Sequence, residues 1–201
     1  MRQDFLDATP TLTRMEEQAQ RLERLVEELL DVSRIQAGRL EYMGEVVDLD
    51  ALLREVVETM QQVSAKHRIV MYGASHALLV GDRDRLIQVF TNLLSNAIKY
   101  SPDSNDVELG ISSTGNEAIV AVRDYGIGIP REQSEKIFER FYRVVAPDQQ
   151  TFPGLGMGLY VVSEIVKHHG GTITVESEPG KGSTFRVTLP VKAGLTTSQK
   201  I

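Results

Sequence analysis

Two asparagines and a lysine share one side of a segment that otherwise has the pattern of a core helix, TNLLSNAIKYSP at positions 91–102. Asn92 and Asn96 are four residues apart and Lys99 follows three residues later, so a helix brings them onto one face. Asparagine is a poor helix former, and an ordinary solvated face would favour Glu, Lys and Gln. The segment by itself is equally compatible with a polar ligand site and with an exposed helix face.

A second motif, RDYGIGIP at positions 123–130, directly follows an alternating segment that has the pattern of a strand. Asp124 is followed by two alternate glycines, Gly126 and Gly128, which allow the backbone to approach a neighbouring group closely. A tight turn with a contact from the aspartate side chain explains this pattern as well as a binding loop does.

A third motif, GLGMGL at positions 154–159, leads into a segment with helical periodicity. Glycines before a helix expose backbone N–H groups at the helix N-terminus, where the dipole also favours an anion. The motif is not followed by the Gly-Lys-Ser/Thr of a Walker loop, and it lacks the preceding strand of a dinucleotide-binding fingerprint. A glycine-rich loop alone is therefore weak evidence for a phosphate site.

The N-terminal part of the chain differs in character from the rest. Apolar residues three and four apart indicate a helix with a bundle-type seam over residues 9–38. Thr9 is the predicted N-cap, with Pro10 in the first turn, and Gly38 is the predicted stop. A helix of about 30 residues is roughly 45 Å long, more than one small domain covers, so we expect it to pack against helices of a second copy.

The remaining sequence supplies the elements that must position the three motifs. Helices are predicted at 50–64 and 82–100, with Asp50 and Asp82 as N-caps, after Pro130, and at 157–169. Strands are predicted at 46–49, 69–72, 77–80, 107–112, 117–123, 172–178 and 183–189, with a turn between the second and third and hairpins between the last two pairs. This order implies an α+β fold, a two-layer sandwich of a mixed, mainly antiparallel sheet with helices on one face, preceded by the long N-terminal helix.

Composition excludes several classes of protein. The 201 residues carry a formal net charge of −6, which argues against nonspecific nucleic-acid binding. Cysteine is absent, so disulfides and cysteine-ligated zinc are excluded and a reducing compartment is favoured. No apolar run approaches the roughly 18 to 20 residues of a membrane span, and the first ten residues do not form a signal peptide. We expect a cytoplasmic location, with any membrane attachment of a parent protein left open.

In this order and spacing, the three motifs resemble the catalytic ATP-binding domain of sensor histidine kinases. The segment FERFYR at positions 138–143, between the second and third motifs, adds to the resemblance. That family belongs to the superfamily of gyrase B, the large heat-shock chaperone and mismatch-repair ATPases, which implies a Bergerat-type ATP-binding fold. Residues 21–35, RLERLVEELLDVSRI, look like the second helix of the family's dimerization hairpin. The expected organisation is a partial dimerization hairpin at 1–45, the catalytic domain at 46–192 and a flexible tail at 193–201.

The resemblance implies a site for ATP and Mg²⁺. Asn96 and Asn92 are the expected metal ligands, and Asn92 and Arg143 are the expected catalytic residues, with Arg143 stabilising γ-phosphate charge. Asp124 is expected to accept a hydrogen bond from the adenine 6-amino group, while Gly126 and Gly128 let backbone pack against the base. The expected nucleotide-binding residues are Asn92, Asn96, Lys99, Tyr100, Asp124, Gly126, Gly128, Ile129, Arg143, Gly154, Leu155, Gly156, Gly158, Leu159 and Thr184. Residues 144–153 are the expected mobile lid over the triphosphate.

Two departures from related enzymes shape the predicted activity. Gyrase-type relatives that hydrolyse ATP place a glutamate one turn before the metal-binding asparagine, and Asn92 stands at that position here. The resemblance therefore implies phosphoryl transfer with hydrolysis disfavoured. None of the four histidines lies in the family's His-Glu-x-x-Thr/Asn-Pro phosphoacceptor pattern. His67 and His76 are expected at the surface, and His168 and His169 are expected to have a structural role.

The predicted function is the ATP-binding catalytic portion of a sensor histidine kinase, an enzyme incomplete as given because the acceptor histidine is on a helix outside this chain. Its expected partners are ATP or ADP, the phosphoacceptor helix, a response regulator and a second copy bound through the N-terminal helix. The alternative is a nucleotide-binding interaction module without phosphotransfer, such as a degenerate kinase or an anti-sigma-like protein. A gyrase-type ATPase is disfavoured by Asn92.

Overall fold

The computed structural model describes residues 8–38, 42–64, 66–144 and 154–191. The chain divides into two compact units, Met1–Leu40 and Glu41–Ile201, and each is described by itself. Within these described residues, no helix is both long and apolar enough to cross a membrane. Except for Val144, the expected lid at 144–153 lies outside the described residues, as does the expected tail at 193–201.

The first unit contains one long helix, α1, at Ala8–Gln36. The predicted N-cap at Thr9 is wrong, because the helix already includes Ala8. Pro10 lies in the first turn, where its missing N–H has no intrahelical partner to lose. The predicted stop is confirmed by Gly38, which has a φ of 61° and donates its N–H to the carbonyl of Ile35 at 3.1 Å. One stripe of large apolar side chains on α1 is exposed, namely Leu12, Met15, Leu22, Val26, Leu29 and Leu30.

The second unit contains the remaining helices and strands. Its strands are β1 Glu45–Asp48, β2 Arg68–Gly73, β3 Leu78–Gly81, β4 Asp106–Thr114, β5 Glu117–Arg123, β6 Thr172–Glu178 and β7 Gly182–Pro190. Its α-helices are α2 Leu49–Val63, α3 Arg83–Tyr100 and α4 Gly158–His168, and two 3₁₀ turns lie at Arg131–Gln133 and Lys136–Phe138. The predicted helix after Pro130 is thus wrong. That segment buries one apolar side chain, Ile137, which gives a short helix too little packing to be stable.

Five strands form the main sheet in the order β2-β4-β5-β7-β6. β2 and β4 are parallel and the other neighbours are antiparallel, which confirms the mixed, mainly antiparallel sheet. β1 and β3 form a separate antiparallel pair. The strands predicted at 69–72 and 77–80 are confirmed on either side of a short connection. They do not pair with each other, because each pairs with a strand distant in sequence and they belong to different sheets.

The core lies between the helices and one face of the main sheet. Inward-facing residues alternate along the strands, and the cross-strand row Ile111–Val120–Val187 is at most 4% exposed. The apolar face of α3 packs into this core through Leu86, Val89, Phe90, Leu93 and Leu94, all fully buried. Burying each of these side chains contributes about 1.5 to 3 kcal/mol. This packing fixes the rotation of α3 about its axis and leaves its polar face directed away from the core.

The caps of α2 and α3 are side-chain carboxylates. Asp48 caps α2 by accepting the N–H of Ala51 at 2.9 Å, so the predicted cap at Asp50 is wrong. Asp50 is instead buried, and it accepts hydrogen bonds from the hydroxyl of Ser75 and the N–H of His76. Burial raises the pKa of Asp50, but these hydrogen bonds outweigh burial and hold it below its ordinary value. Asp82 caps α3 as predicted, accepting the N–H of Arg85 at 3.0 Å.

The histidines are divided between core and surface. The expectation of a surface position is wrong for His67, which is 6% exposed because its ring lies between Ser64 Oγ (3.1 Å) and the carbonyl of Ser101 (3.0 Å). His76 is exposed as predicted. His169 has a structural role, since its Nδ1–H donates to its own helix at Ile165 and its Nε2 accepts the N–H of Asp82.

Candidate functional site

The polar face of α3 lies beside the glycine motif at 154–158. Asn92 is half-buried, and a Cβ placed on Gly158 would lie 3.8 Å from its Oδ1. At the other end of the motif, a Cβ placed on Gly154 would lie 3.4 Å from Nζ of Lys99. Asn96, also half-buried, lies between Asn92 and Lys99 on the same helix face. The fold therefore brings the first and third sequence motifs together along about two turns of α3.

The glycine motif leads into the N-terminus of α4, which begins at Gly158 and has no side-chain cap. Backbone N–H groups in a first helical turn lack intrahelical partners and favour an anion. Met157 is fully buried and anchors the motif, whereas Leu155 and Leu159 are half-buried. Gly156 has a φ of 73°, a region that L side chains rarely adopt.

The segment that precedes the undescribed residues 145–153 contacts the same motif. The N–H of Phe141 donates to the carbonyl of Gly156 at 3.0 Å. A Cβ on Gly156 would lie 2.7 Å from the carbonyl oxygen of Tyr142 and 3.0 Å from Cγ of Arg143. Arg143 is exposed, and the stem of its side chain lies beside the glycine motif.

Lys99 and Tyr100 close the polar face of α3 at its C-terminal end. Nζ of Lys99 donates to the hydroxyl of Tyr100 at 3.2 Å and lies 4.7 Å from the centre of the Tyr100 ring. The carbonyl of Tyr100 accepts the N–H of Ile127 at 3.1 Å. The end of α3 is in this way joined to the second motif, so all three motifs meet at one helix.

Asp124 lies at the end of β5 and is 4% exposed. Its Oδ1 accepts the N–H of Gly126 at 2.9 Å and the N–H of Ser183 on β7 at 3.3 Å. Burial raises the pKa of the Asp124 carboxyl, and the hydrogen bonds from Gly126 and Ser183 offset that rise only in part. The site thus contains a desolvated carboxyl group held in one orientation by backbone donors.

The glycines after Asp124 are required by the packing of the loop against other backbone. A Cβ on Gly126 would lie 2.0 Å from the carbonyl oxygen of Tyr100, and one on Gly128, where φ is 69°, would lie 2.1 Å from that of Glu178. Ile129, half-buried, donates its N–H to Oγ of Ser177 at 2.7 Å. The loop is therefore wedged between the end of α3 and the β6–β7 hairpin.

Two cavities border this region. One, of about 290 Å³, is lined by Asp124 and Thr184 together with residues of the β6–β7 hairpin. A larger cavity of about 520 Å³ lies between the second 3₁₀ turn and α4, and none of the predicted site residues line it. We favour the region around α3 as the functional site, because polar groups of three separate motifs converge there.

Sequence reasoning missed part of the support for Asp124. Ser177 and Ser183, on the two strands of the last hairpin, form hydrogen bonds with the Asp124 loop and with Asp124 itself. Gly182 has a φ of 87°, and a Cβ there would lie 2.1 Å from the carbonyl oxygen of Asp124. These residues follow Asp124 by more than fifty positions. The glycines between them predict a hairpin turn, but they do not indicate that the hairpin contacts Asp124.

The side chains on α3 fit a hard divalent cation held mostly by a bound ligand. In the part of the chain that the structure describes, no group of three or more His, Cys, Asp or Glu side chains could hold a metal ion. Asn92 and Asn96 offer neutral amide oxygens one turn apart. Mg²⁺ uses one or two such protein oxygens and fills its remaining positions with phosphate oxygens and water. The donor set is compatible with Mg²⁺ bound to phosphates.

Comparison with known proteins links this arrangement to a family. Residues 81–193, more than half of the chain, match the family of histidine kinase-, DNA gyrase B- and HSP90-like ATPases. The chain is 34% identical over 179 residues to the sensor-like histidine kinase SenX3 of Mycolicibacterium smegmatis, covering 88% of this chain and 47% of that protein. It is 34% identical to the sensor histidine kinase WalK of Bacillus subtilis, covering 87% of this chain and 29% of WalK. The chain thus spans about half or less of the length of these relatives.

Solved structures show the same fold. Full-length ShkA in complex with AMPPNP superposes with a TM-score of 0.77 at 27% identity, covering 96% of this chain and 40% of ShkA. The mycobacterial sensor histidine kinase MprB gives a TM-score of 0.64 at 26% identity, covering 75% of this chain and 99% of the MprB chain.

Proposed function

Because the chain belongs to the family of histidine kinase-, DNA gyrase B- and HSP90-like ATPases, we propose that it is the ATP-binding catalytic portion of a sensor histidine kinase. It binds Mg·ATP and transfers the γ-phosphoryl group to a histidine on a separate helix. The observation that carries the proposal is the convergence of the three motifs on α3, with Gly158 beside Asn92, Gly154 beside Lys99 and Ile127 bonded to Tyr100.

The two ends of the site suit the two ends of ATP. Asp124 is a buried acceptor for the adenine 6-amino group, and Thr184, paired with Arg123 on the adjacent strand, lines the same cavity. Lys99 and the N-terminus of α4 supply positive charge and N–H donors for phosphate oxygens. Asn92 and Asn96 would hold Mg²⁺, which neutralises charge on the phosphates when bound. The complex of ShkA with AMPPNP supports a nucleotide at this fold.

The residues of the site favour transfer over hydrolysis. A histidine nitrogen of the acceptor attacks the γ-phosphorus, a P–N bond forms, the bond to the β–γ bridging oxygen breaks, and ADP leaves. We assign to Arg143, whose Cγ lies beside the glycine motif, the stabilisation of charge on the transferred group. Asn92 has no basic group that could take a proton from water, so water is not activated at that position.

The test of this function supplies the acceptor separately. The chain is incubated with Mg²⁺ and γ-labelled ATP, with and without a protein containing the phosphoacceptor helix of a related kinase. We expect acid-labile label on the acceptor and none on the chain itself. Nucleotide binding without any transfer, to acceptor helices from several related kinases, would favour the interaction-module alternative. Acid-labile label on His67, His76, His168 or His169 would contradict the proposed need for a separate acceptor.

We further propose, and predict as a measurable property, that the chain self-associates through α1. The apolar stripe of α1, which includes Leu22 and Leu29, is exposed. Large contiguous apolar patches on a protein surface mark association surfaces. We expect dimers or larger assemblies that dissociate on dilution, measured by light scattering. The double change Leu22→Glu and Leu29→Glu should give monomers, whereas Glu23→Gln, at an exposed position of the same helix, should not. A wild-type monomer at every concentration would contradict this prediction.

A further inference from the structure

Ser177 on β6 lies at the junction of three backbone segments. Its Oγ accepts the N–H of Ile129 at 2.7 Å, donates to the carbonyl of Gly182 at 2.9 Å, and lies 3.0 Å from Oγ of Ser183. Ser183 in turn contacts the carboxylate of Asp124. From this geometry, and resting on the proposed nucleotide site, we infer that Ser177 is a positioning residue that acts through Ser183 to hold Asp124 as the adenine-selecting acceptor.

The backbone of Ser183 is hydrogen-bonded to both the backbone and the carboxylate of Asp124. The N–H of Asp124 donates to the carbonyl of Ser183 at 2.9 Å, and the N–H of Ser183 lies 3.3 Å from both the carbonyl oxygen and Oδ1 of Asp124. Ser183 is 6% exposed, so this pairing is shielded from water. The position of the carboxylate is therefore set by the strand that carries Ser183.

The Ser177 hydroxyl joins the loop after Asp124 to the strand that carries Ser183. A serine hydroxyl has one proton, and Ser177 donates it to the carbonyl of Gly182, next to Ser183. The same oxygen accepts the N–H of Ile129 and lies 3.0 Å from the Ser183 hydroxyl, which can donate to it. Ser177 therefore fixes both the Asp124 loop and the backbone whose N–H reaches the Asp124 carboxylate.

The charged groups around Asp124 are engaged with other partners. Lys181 is 2.8 Å from Glu178 across the hairpin turn, Arg186 is 3.7 Å from Glu176, and Arg123 lies over the ring of Tyr125 at 4.6 Å. At the end of α3, Lys99 donates to the hydroxyl of Tyr100. Among the described residues, the hydrogen bonds to the Asp124 carboxylate come from the N–H groups of Gly126 and Ser183, so a shift of the strand that carries Ser183 weakens one of the two donors to its ionised form.

Loss of the Ser177 hydroxyl is expected to change base selection as well as affinity. Without it the N–H of Ile129 loses its acceptor and the carbonyl of Gly182 loses its donor, so the N–H of Ser183 is held less firmly at the Asp124 carboxylate. The ionised carboxylate becomes less favourable, and a protonated Asp124 could donate to the oxygen that guanine carries in place of the adenine amino group. A merely structural role would lower stability without changing the preference for adenine.

The test compares Ser177→Thr with Ser177→Val, two side chains of nearly the same shape that differ in the hydroxyl. ADP and GDP binding are titrated from pH 5 to 8 by calorimetry. We expect Thr to remain close to wild type. We expect Val to bind ADP about three- to tenfold more weakly, to show a smaller ADP-to-GDP ratio, and to lose ADP binding at a higher pH on acidification.

Controls separate this inference from the proposed function. Ser177→Ala is a second hydroxyl-free variant in case the Val variant melts below the assay temperature, and Ser112→Ala changes an exposed serine of the same sheet. Equal ADP affinity, base ratio and pH midpoint for the Thr and hydroxyl-free variants would overturn the role of Ser177. A wild-type chain that binds ADP and GDP equally would instead refute the proposed adenine site.

Discussion

Replacing Asp124 with asparagine is expected to weaken ADP binding by about 5- to 150-fold, which corresponds to about 1 to 3 kcal/mol. Asp124 is 4% exposed, and its carboxylate accepts hydrogen bonds from Gly126 and Ser183. The asparagine side chain that replaces it therefore cannot rotate out into solvent. An amide is a weaker acceptor, and its NH₂ group presents donors where the adenine amino group also presents donors. The measurement is a calorimetric titration with ADP and GDP.

The matched control is Asp103→Asn, which changes an exposed aspartate in the loop after α3. This variant should bind ADP as the wild type does. Preference for ADP over GDP should shrink in Asp124→Asn and persist in the control. Unchanged affinity and base preference in Asp124→Asn would show that the buried carboxylate does not accept a hydrogen bond from the adenine amino group.

The same residue gives a pH dependence with a definite sign. Burial raises the pKa of Asp124 above its ordinary value, so the folded chain binds a proton there at a higher pH than the unfolded chain does. Between the unfolded and folded pKa values the native state holds more protons, and the contribution of Asp124 to the free energy of unfolding falls as pH rises. Asp124→Asn removes this ionisation, so we expect binding to fall with no loss of thermal stability at neutral pH.

Gly126→Ala is expected to lower the free energy of unfolding by about 3 kcal/mol or more, which corresponds to roughly 6 to 12 °C in Tm. The added Cβ would lie 2.0 Å from the carbonyl oxygen of Tyr100 and 2.6 Å from its carbon. These are backbone atoms, and the same carbonyl accepts the N–H of Ile127. The loop must therefore move as a whole, which displaces Asp124 and should reduce ADP binding together with stability.

Gly44→Ala provides the comparison, because a Cβ there would meet only Cγ1 of Val80, at the van der Waals distance of 4.0 Å. That change should leave both the Tm and ADP binding close to wild type. Thermal melts followed by circular dichroism, with and without ADP, measure both effects. A Gly126→Ala variant as stable as Gly44→Ala would contradict the close packing of the loop against α3.

Much of the fold was predictable from local pattern. Alternation of apolar and polar residues identified the hairpin of β4 and β5 and that of β6 and β7. Successive side chains of a strand point to opposite faces of the sheet, so a strand with one buried face has apolar residues at every second position. Helical periodicity and the Asp82 cap placed α3 nearly at its observed bounds. Short segments without such a face were less predictable. The segment after Pro130 forms 3₁₀ turns in place of the predicted helix. The N-cap of α2 is Asp48, because Asp50 is buried and accepts hydrogen bonds from Ser75 and His76.

Residue types and helical spacing were enough to identify the polar residues of α3 and the helix face on which they lie. The spacing puts Asn92, Asn96 and Lys99 on one side of α3 whatever surrounds them. The groups that contact this face follow from tertiary packing, since Gly158 and Ile127 are brought to α3 by segments far along the chain. Tertiary packing also buries His67 and joins Ser177 to the Asp124 loop. Such contacts depend on strand pairing and helix packing across long sequence separations, which local propensity and spacing do not encode.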